Sequence, residues 1–103
     1  MAYDLVLKNG YLVDPRNSKE GYYDLAISGS KIEAVEKEIS PSIALQVIDV
    51  AGKVVAPGLI DTHVHVTGKS RQYGYRMLAR AGVTTALDCA GPTGEVVEAL
   101  STW

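Results

Sequence analysis

Asp61, His63 and His65 stand two residues apart in the run Pro57-Gly58-Leu59-Ile60-Asp61-Thr62-His63-Val64-His65-Val66, which holds both histidines of the chain. Side chains of an extended strand alternate between its faces. This spacing therefore puts the carboxylate and both imidazoles on one face, with Ile60, Thr62, Val64 and Val66 on the other. Neutral imidazoles aimed at a common point beside a carboxylate can hold a divalent metal such as zinc. His-x-His by itself is a weak sign, because a zinc site normally takes three or four protein ligands.

The elements that must position this strand divide at Pro57. Before it, short alternating segments dominate. Tyr3 to Val13 alternates and is interrupted by Asn9-Gly10, which reads either as a hairpin turn between two strands or as a bulge in one. Asp14-Pro15-Arg16-Asn17-Ser18 has loop chemistry. Tyr23–Ile27 and Lys31–Glu36 form an expected hairpin around Ser28-Gly29-Ser30. The stretch around Pro41 is irregular, and Val47–Val50 and Lys53–Ala56 are two more short strands. Strands at this spacing suggest a small antiparallel β-module.

After Pro57 the pattern changes to strand, helix, strand, helix, the repeat of a parallel α/β architecture. The histidine strand is read as buried. It leads through Thr67-Gly68-Lys69-Ser70 into a helix with Ser70 as its N-cap and Tyr73, Met77, Leu78 and Ala81 on one face. Gly82 sits at the C-cap position. The β-branched run Val83–Cys89 reads as a second parallel strand. A loop over Ala90–Gly94 leads into a second helix over Glu95–Ser101.

The bulk properties exclude several classes. The chain has 103 residues, 47% of them apolar and 21% charged, the profile of an ordinary globular protein. A formal net charge of −2 gives no electrostatic reason to expect nucleic acid or an anionic membrane as partner. No apolar run approaches the ~20 residues of a membrane helix, and the N-terminus lacks the pattern of a signal peptide. The lone cysteine, Cys89, excludes an internal disulfide and fits a reducing cytoplasm.

The longer run Val54-Val55-Ala56-Pro57-Gly58-Leu59-Ile60-Asp61-Thr62-His63-Val64-His65 resembles the signature of the amidohydrolase superfamily of metal-dependent hydrolases, which includes dihydroorotase, hydantoinase, allantoinase and several deacetylases. Ala81-Gly82-Val83-Thr84-Thr85 is similar to what that superfamily carries at its second barrel strand. The opening Tyr3–Gly10 with Val13-Asp14-Pro15 looks most like its cyclic amidohydrolase and deacetylase branches. The resemblance covers essentially the whole chain, yet a complete (β/α)8 barrel typically takes ~250 residues. The implied fold is α/β. Residues 1–56 form the N-terminal part of a small β-sandwich, and residues 57–103 form the first two β/α units of an incomplete TIM-type barrel.

The resemblance implies that His63 and His65 bind zinc, one or two ions per complete enzyme, with other divalent metals possible. Through a metal-activated water such an enzyme hydrolyses a small-molecule amide, either cyclic or N-acyl, or attacks an amidine carbon. The superfamily's remaining ligands come from later strands, so the isolated chain is expected to be inactive. Asp61 is read as orienting the histidine strand rather than as a ligand. Asp88 is read as a polar strand terminus and Cys89 as a small buried hydrophobe. Lys69, Arg71 and Arg76 read as solvated helix charges. Ser70 is a cap rather than a nucleophile, since no histidine remains to activate it. The alternative is a truncated, non-catalytic protein that acts as an oligomerising or interaction module. Two barrel strands with open edges and uncovered apolar faces would then draw in a second copy or a missing C-terminal segment.

Overall fold

The computed structural model describes residues 2–66, 71–89 and 94. The chain divides into two compact units, Met1–Pro57 and Gly58–Trp103. Among the described residues it is mostly β-strand with one α-helix.

The first unit is a five-stranded sheet. Its strands are β1 (Tyr3–Asp14), β2 (Lys19–Ser28), β3 (Lys31–Glu36), β4 (Ala44–Asp49) and β5 (Val54–Val55), in the order β3-β2-β1-β4 with β5 also beside β1. β1, β2 and β3 form an antiparallel meander. β4 and β5 pair parallel to β1, which corrects the wholly antiparallel module expected from strand spacing. The parallel pairing follows from the connection Lys37–Ile43, which carries the chain from β3 past β2 to the far side of β1. A crossover of this kind needs an apolar anchor on the sheet. Ile39, 3% exposed, supplies it by packing against the fully buried Val6 and Ala26, with Tyr3, Ala34 and Ala44 around them. Pro41–Ile43 then forms a short 3-10 turn capped by Ser40, whose hydroxyl accepts from the Ser42 N–H.

Asn9-Gly10 marks a bulge within one long strand, not a turn between two. Leu7 pairs with Leu25 and Gly10 with Tyr23, so Lys8 and Asn9 together face the single residue Asp24. Asn9 takes the left-handed conformation, φ 66°, which asparagine tolerates better than most residues. The extra residue resets the alternation, and Leu7 and Leu12 line the same apolar groove together with Leu25, Ile27, Val35 and Val55. Asp14-Pro15-Arg16-Asn17-Ser18 closes the β1–β2 hairpin, with the Asp14 carboxylate accepting from the Asn17 backbone and side chain.

Asp24 is the polar centre of this unit. It is 3% exposed. Its carboxylate accepts from the Asn9 N–H and the Ile39 N–H, both at 2.9 Å, and pairs with the Lys8 ammonium. Lys8 also donates to the Ile39 carbonyl at 2.8 Å. One side chain thus ties together the β1 bulge, β2 and the crossover. Burial pushes its carboxyl pKa up, but the hydrogen bonds from Lys8, Asn9 and Ile39 outweigh burial and hold it below the ordinary value.

The second unit contains β6 (Leu59–Val64), α1 (Arg71–Arg80) and β7 (Val83–Asp88), with β6 and β7 parallel in a two-stranded sheet. Gly82 follows the helix at φ 82°, the left-handed cap expected there. Gly74 is required by close approach, because a Cβ at that position would lie 2.7 Å from Val66 Cγ1. The helix face differs from the expected one. Leu78, Tyr75 and Gly74 are half-buried, while Met77 is 68% exposed. The side chain of Tyr73, the Ser70 cap, the loops from Thr67 and from Ala90, and the helix expected over Glu95–Ser101 lie outside the described residues.

Asp24→Ala should cost about 3–5 kcal/mol in denaturant unfolding, since it leaves the half-buried Lys8 ammonium and two N–H groups without their acceptor. The folded carboxyl lies below its ordinary 3.8, so its stabilisation is present above that value and is lost as pH falls through the lowered one. Unfolding free energy measured below about pH 4 should therefore fall more steeply for the wild type than for Asp24→Asn.

Candidate functional site

β6 displays its side chains as period-two alternation requires. Val64 and Val66 are buried, each 8% exposed, whereas His63 and His65 are open on the opposite face. The burial is confined to that end of the strand. Ile60 is 69% exposed and Leu59 60%, so the expectation of a buried strand holds only near Val64–Val66, where α1 approaches. His63 is the penultimate residue of β6, and His65 lies just past the strand end. Because β7 runs parallel, its final residue Asp88 and the following Cys89 lie at the same end of the sheet as the histidines.

The two imidazoles converge. Their Nε2 atoms are 3.2 Å apart, with ring centroids 5.1 Å apart and planes tilted by 58°. One neutral ring can donate its N–H to the lone pair of the other at this separation. The separation also suits a shared cation, since two imidazole nitrogens on one tetrahedral zinc, each at about 2.0–2.1 Å, stand about 3.3–3.4 Å apart. The donor set therefore fits two positions of a divalent metal. Among the described residues no third histidine, cysteine, aspartate or glutamate completes a cluster with them.

Asp61 shares the histidine face but is committed to the backbone, its Oδ1 accepting the His63 N–H at 3.0 Å. Asp88 is half-buried, and its Oδ2 accepts the Val66 N–H at 3.1 Å. The Cys89 N–H donates to the Val64 carbonyl at 3.1 Å, and its thiol points to the Thr62 carbonyl at 3.3 Å. Cys89 is exposed, in contrast to the buried small residue expected. Arg76 is exposed, as a solvated helix charge should be. The backbone clamp formed by Asp88 and Cys89 was not legible in residue types; the only available signal was a carboxylate closing an otherwise apolar, β-branched strand.

Known proteins resemble this chain in both sequence and structure. No protein-family model matches the sequence. A dihydroorotase of Aquifex aeolicus is 37% identical over 87 residues, covering 79% of this chain and 20% of its own length. An allantoinase of Escherichia coli is 34% identical over 94 residues, covering 85% of this chain and 20% of its own. Among solved structures, the L-hydantoinase (dihydropyrimidinase) of Arthrobacter aurescens superposes with a TM-score of 0.70 at 27% identity, over 84% of this chain and 20% of that one. The N-acyl-D-glutamate deacylase of Bordetella bronchiseptica, solved with zinc and a phosphonate inhibitor, gives 0.71 at 28% identity, over 84% of this chain and 18% of that one. The chain spans about a fifth of the length of these curated relatives. With dihydroorotase and allantoinase as sequence relatives and hydantoinase and deacylase as structural ones, this chain belongs to the amidohydrolase superfamily.

Proposed function

We propose that this chain is the N-terminal portion of a metal-dependent amidohydrolase that hydrolyses C–N bonds of the cyclic amide, N-acyl or amidine kind. His63 and His65 are its first two metal ligands, with zinc as the metal. The observation that carries this reading is the convergence of both Nε2 atoms to 3.2 Å at the C-terminal end of a parallel strand. In α/β barrels that end of the strands forms the active-site face. Supporting it, the relatives named dihydroorotase and allantoinase act on cyclic amides, and the deacylase structure holds zinc.

In this reading β6–α1–β7 is the start of a TIM-type barrel, and the five-stranded sheet belongs to a β-sandwich. A bound divalent metal would supply a water of lowered pKa and polarise the carbonyl under attack. The chain's own part is to fix two ligand positions. His63 is held through its N–H by Asp61, and His65 lies between the Val64 and Val66 backbone groups held by β7. Two imidazoles fall short of the three or four ligands a zinc site normally uses, so the chain by itself does not hydrolyse these substrates.

A second reading has its own observation. Leu59, Ile60 and Leu87 are 60%, 69% and 59% exposed on a sheet of two strands. Such a surface would make the chain an oligomerising or interaction module that pairs with a second copy or a further segment. No helix among the described residues is long and apolar enough to cross a membrane. With the lone exposed thiol of Cys89, a reducing cytoplasm is the proposed compartment.

His63→Ala and His65→Ala should each remove stoichiometric zinc from the hydrolase that carries these residues, measured as metal content after purification. Retention of zinc by both variants would sink the assignment. Sedimentation velocity of this chain at rising concentration separates the second reading. Self-association is expected from the exposed strand surface, and a monodisperse monomer at every concentration would count against it.

A further inference from the structure

The Asp88 carboxylate is not part of the proposed ligand set, yet it makes a long-range bond at a sensitive point. His65 lies one residue past the end of β6, where ladder bonds no longer fix the backbone. On its N-terminal side the Cys89 N–H bonds the Val64 carbonyl at 3.1 Å, and on its C-terminal side Asp88 Oδ2 accepts the Val66 N–H at 3.1 Å. Both partners come from the end of β7. The side chain of Asp88 continues the pairing that the backbone has stopped making, as a carboxylate can by accepting a charge-assisted bond from an N–H.

We infer that Asp88 is a positioning residue for the metal ligand His65: its carboxylate clamps the Val66 N–H and so holds the backbone that turns the His65 imidazole toward His63. This inference rests on the proposed metal role of the two histidines. It follows from their geometry, because a 3.2 Å approach of two side-chain tips survives only if the backbone between them cannot rotate. Asp61 fixes the same segment from the other side, through the His63 N–H. Outer partners of metal ligands typically change metal affinity by about 10–100-fold when removed.

The test combines Zn2+ titration with amide hydrogen exchange on the hydrolase that carries these residues. Asp88→Ala should weaken Zn2+ binding about tenfold or more, while Asp88→Asn, whose side-chain oxygen can accept the same N–H, should stay within about threefold of wild type. Equal loss in both variants, or no loss in either, overturns the inference. In the wild type without metal, the Val66 amide should exchange at least about tenfold more slowly than an unstructured amide. Exchange at the unstructured rate overturns the clamp whether or not Asp88→Ala folds. A wild type that binds no Zn2+ but protects Val66 defeats the metal reading and leaves the clamp standing, so the two failures are distinguishable.

Discussion

An aspartate carboxylate accepting a backbone N–H is the interaction on which this structure depends. Each of the six aspartates in the sequence makes one. Asp4 holds Gly29 between β2 and β3, Asp14 holds Asn17 in the β1–β2 turn, and Asp49 holds Ala51 between β4 and β5. Asp24 holds Asn9 and Ile39 at once, and Asp61 and Asp88 hold the segment that carries the histidines. Bonds of this kind involve a charged acceptor and are stronger than neutral pairs where water is kept away, as at Asp24. They fall where the ladders end: at turns, a bulge, a crossover and a strand terminus. In a chain with a short helix and several short strands, these places would otherwise leave backbone donors without partners.

The same device has two uses. At Asp24 it is structural, and the half-buried Lys8 offsets the cost of desolvating the carboxylate. At Asp61 and Asp88 it acts on an open surface where two imidazoles meet. The register of β6 against β7 makes that possible, because Val64 opposite Asp88 sets which end of the sheet the histidines occupy. A slip of one residue would send His63 and His65 to the side now filled by Val64 and Val66.

Much of this was legible in residue types. The alternation of Asp61, His63 and His65 against Val64 and Val66 gave the faces correctly, because period two is a property of the extended backbone. Asn9-Gly10 allowed a turn or a bulge, and tertiary pairing selected the bulge since β1 continues to Asp14 along β2. The parallel direction of β4 and β5 was hidden, because alternation carries no sign of strand direction. Asp24 looked like one polar residue in an alternating strand; its burial depends on Lys8 and Ile39, sixteen and fifteen residues away. Tyr75 and Gly74 were missed on the helix face because the close approach to Val66 requires the absence of a side chain at Gly74.

The central claim is that His63 and His65 together bind one metal ion through Nε2. The most direct measurement is 15N NMR of the two imidazole side chains during Zn2+ titration of the protein. The account predicts that both Nε2 resonances move together and saturate at a single metal equivalent, while both Nδ1 resonances keep the signature of a protonated nitrogen. Movement of only one ring, or of neither at saturating Zn2+, would contradict it.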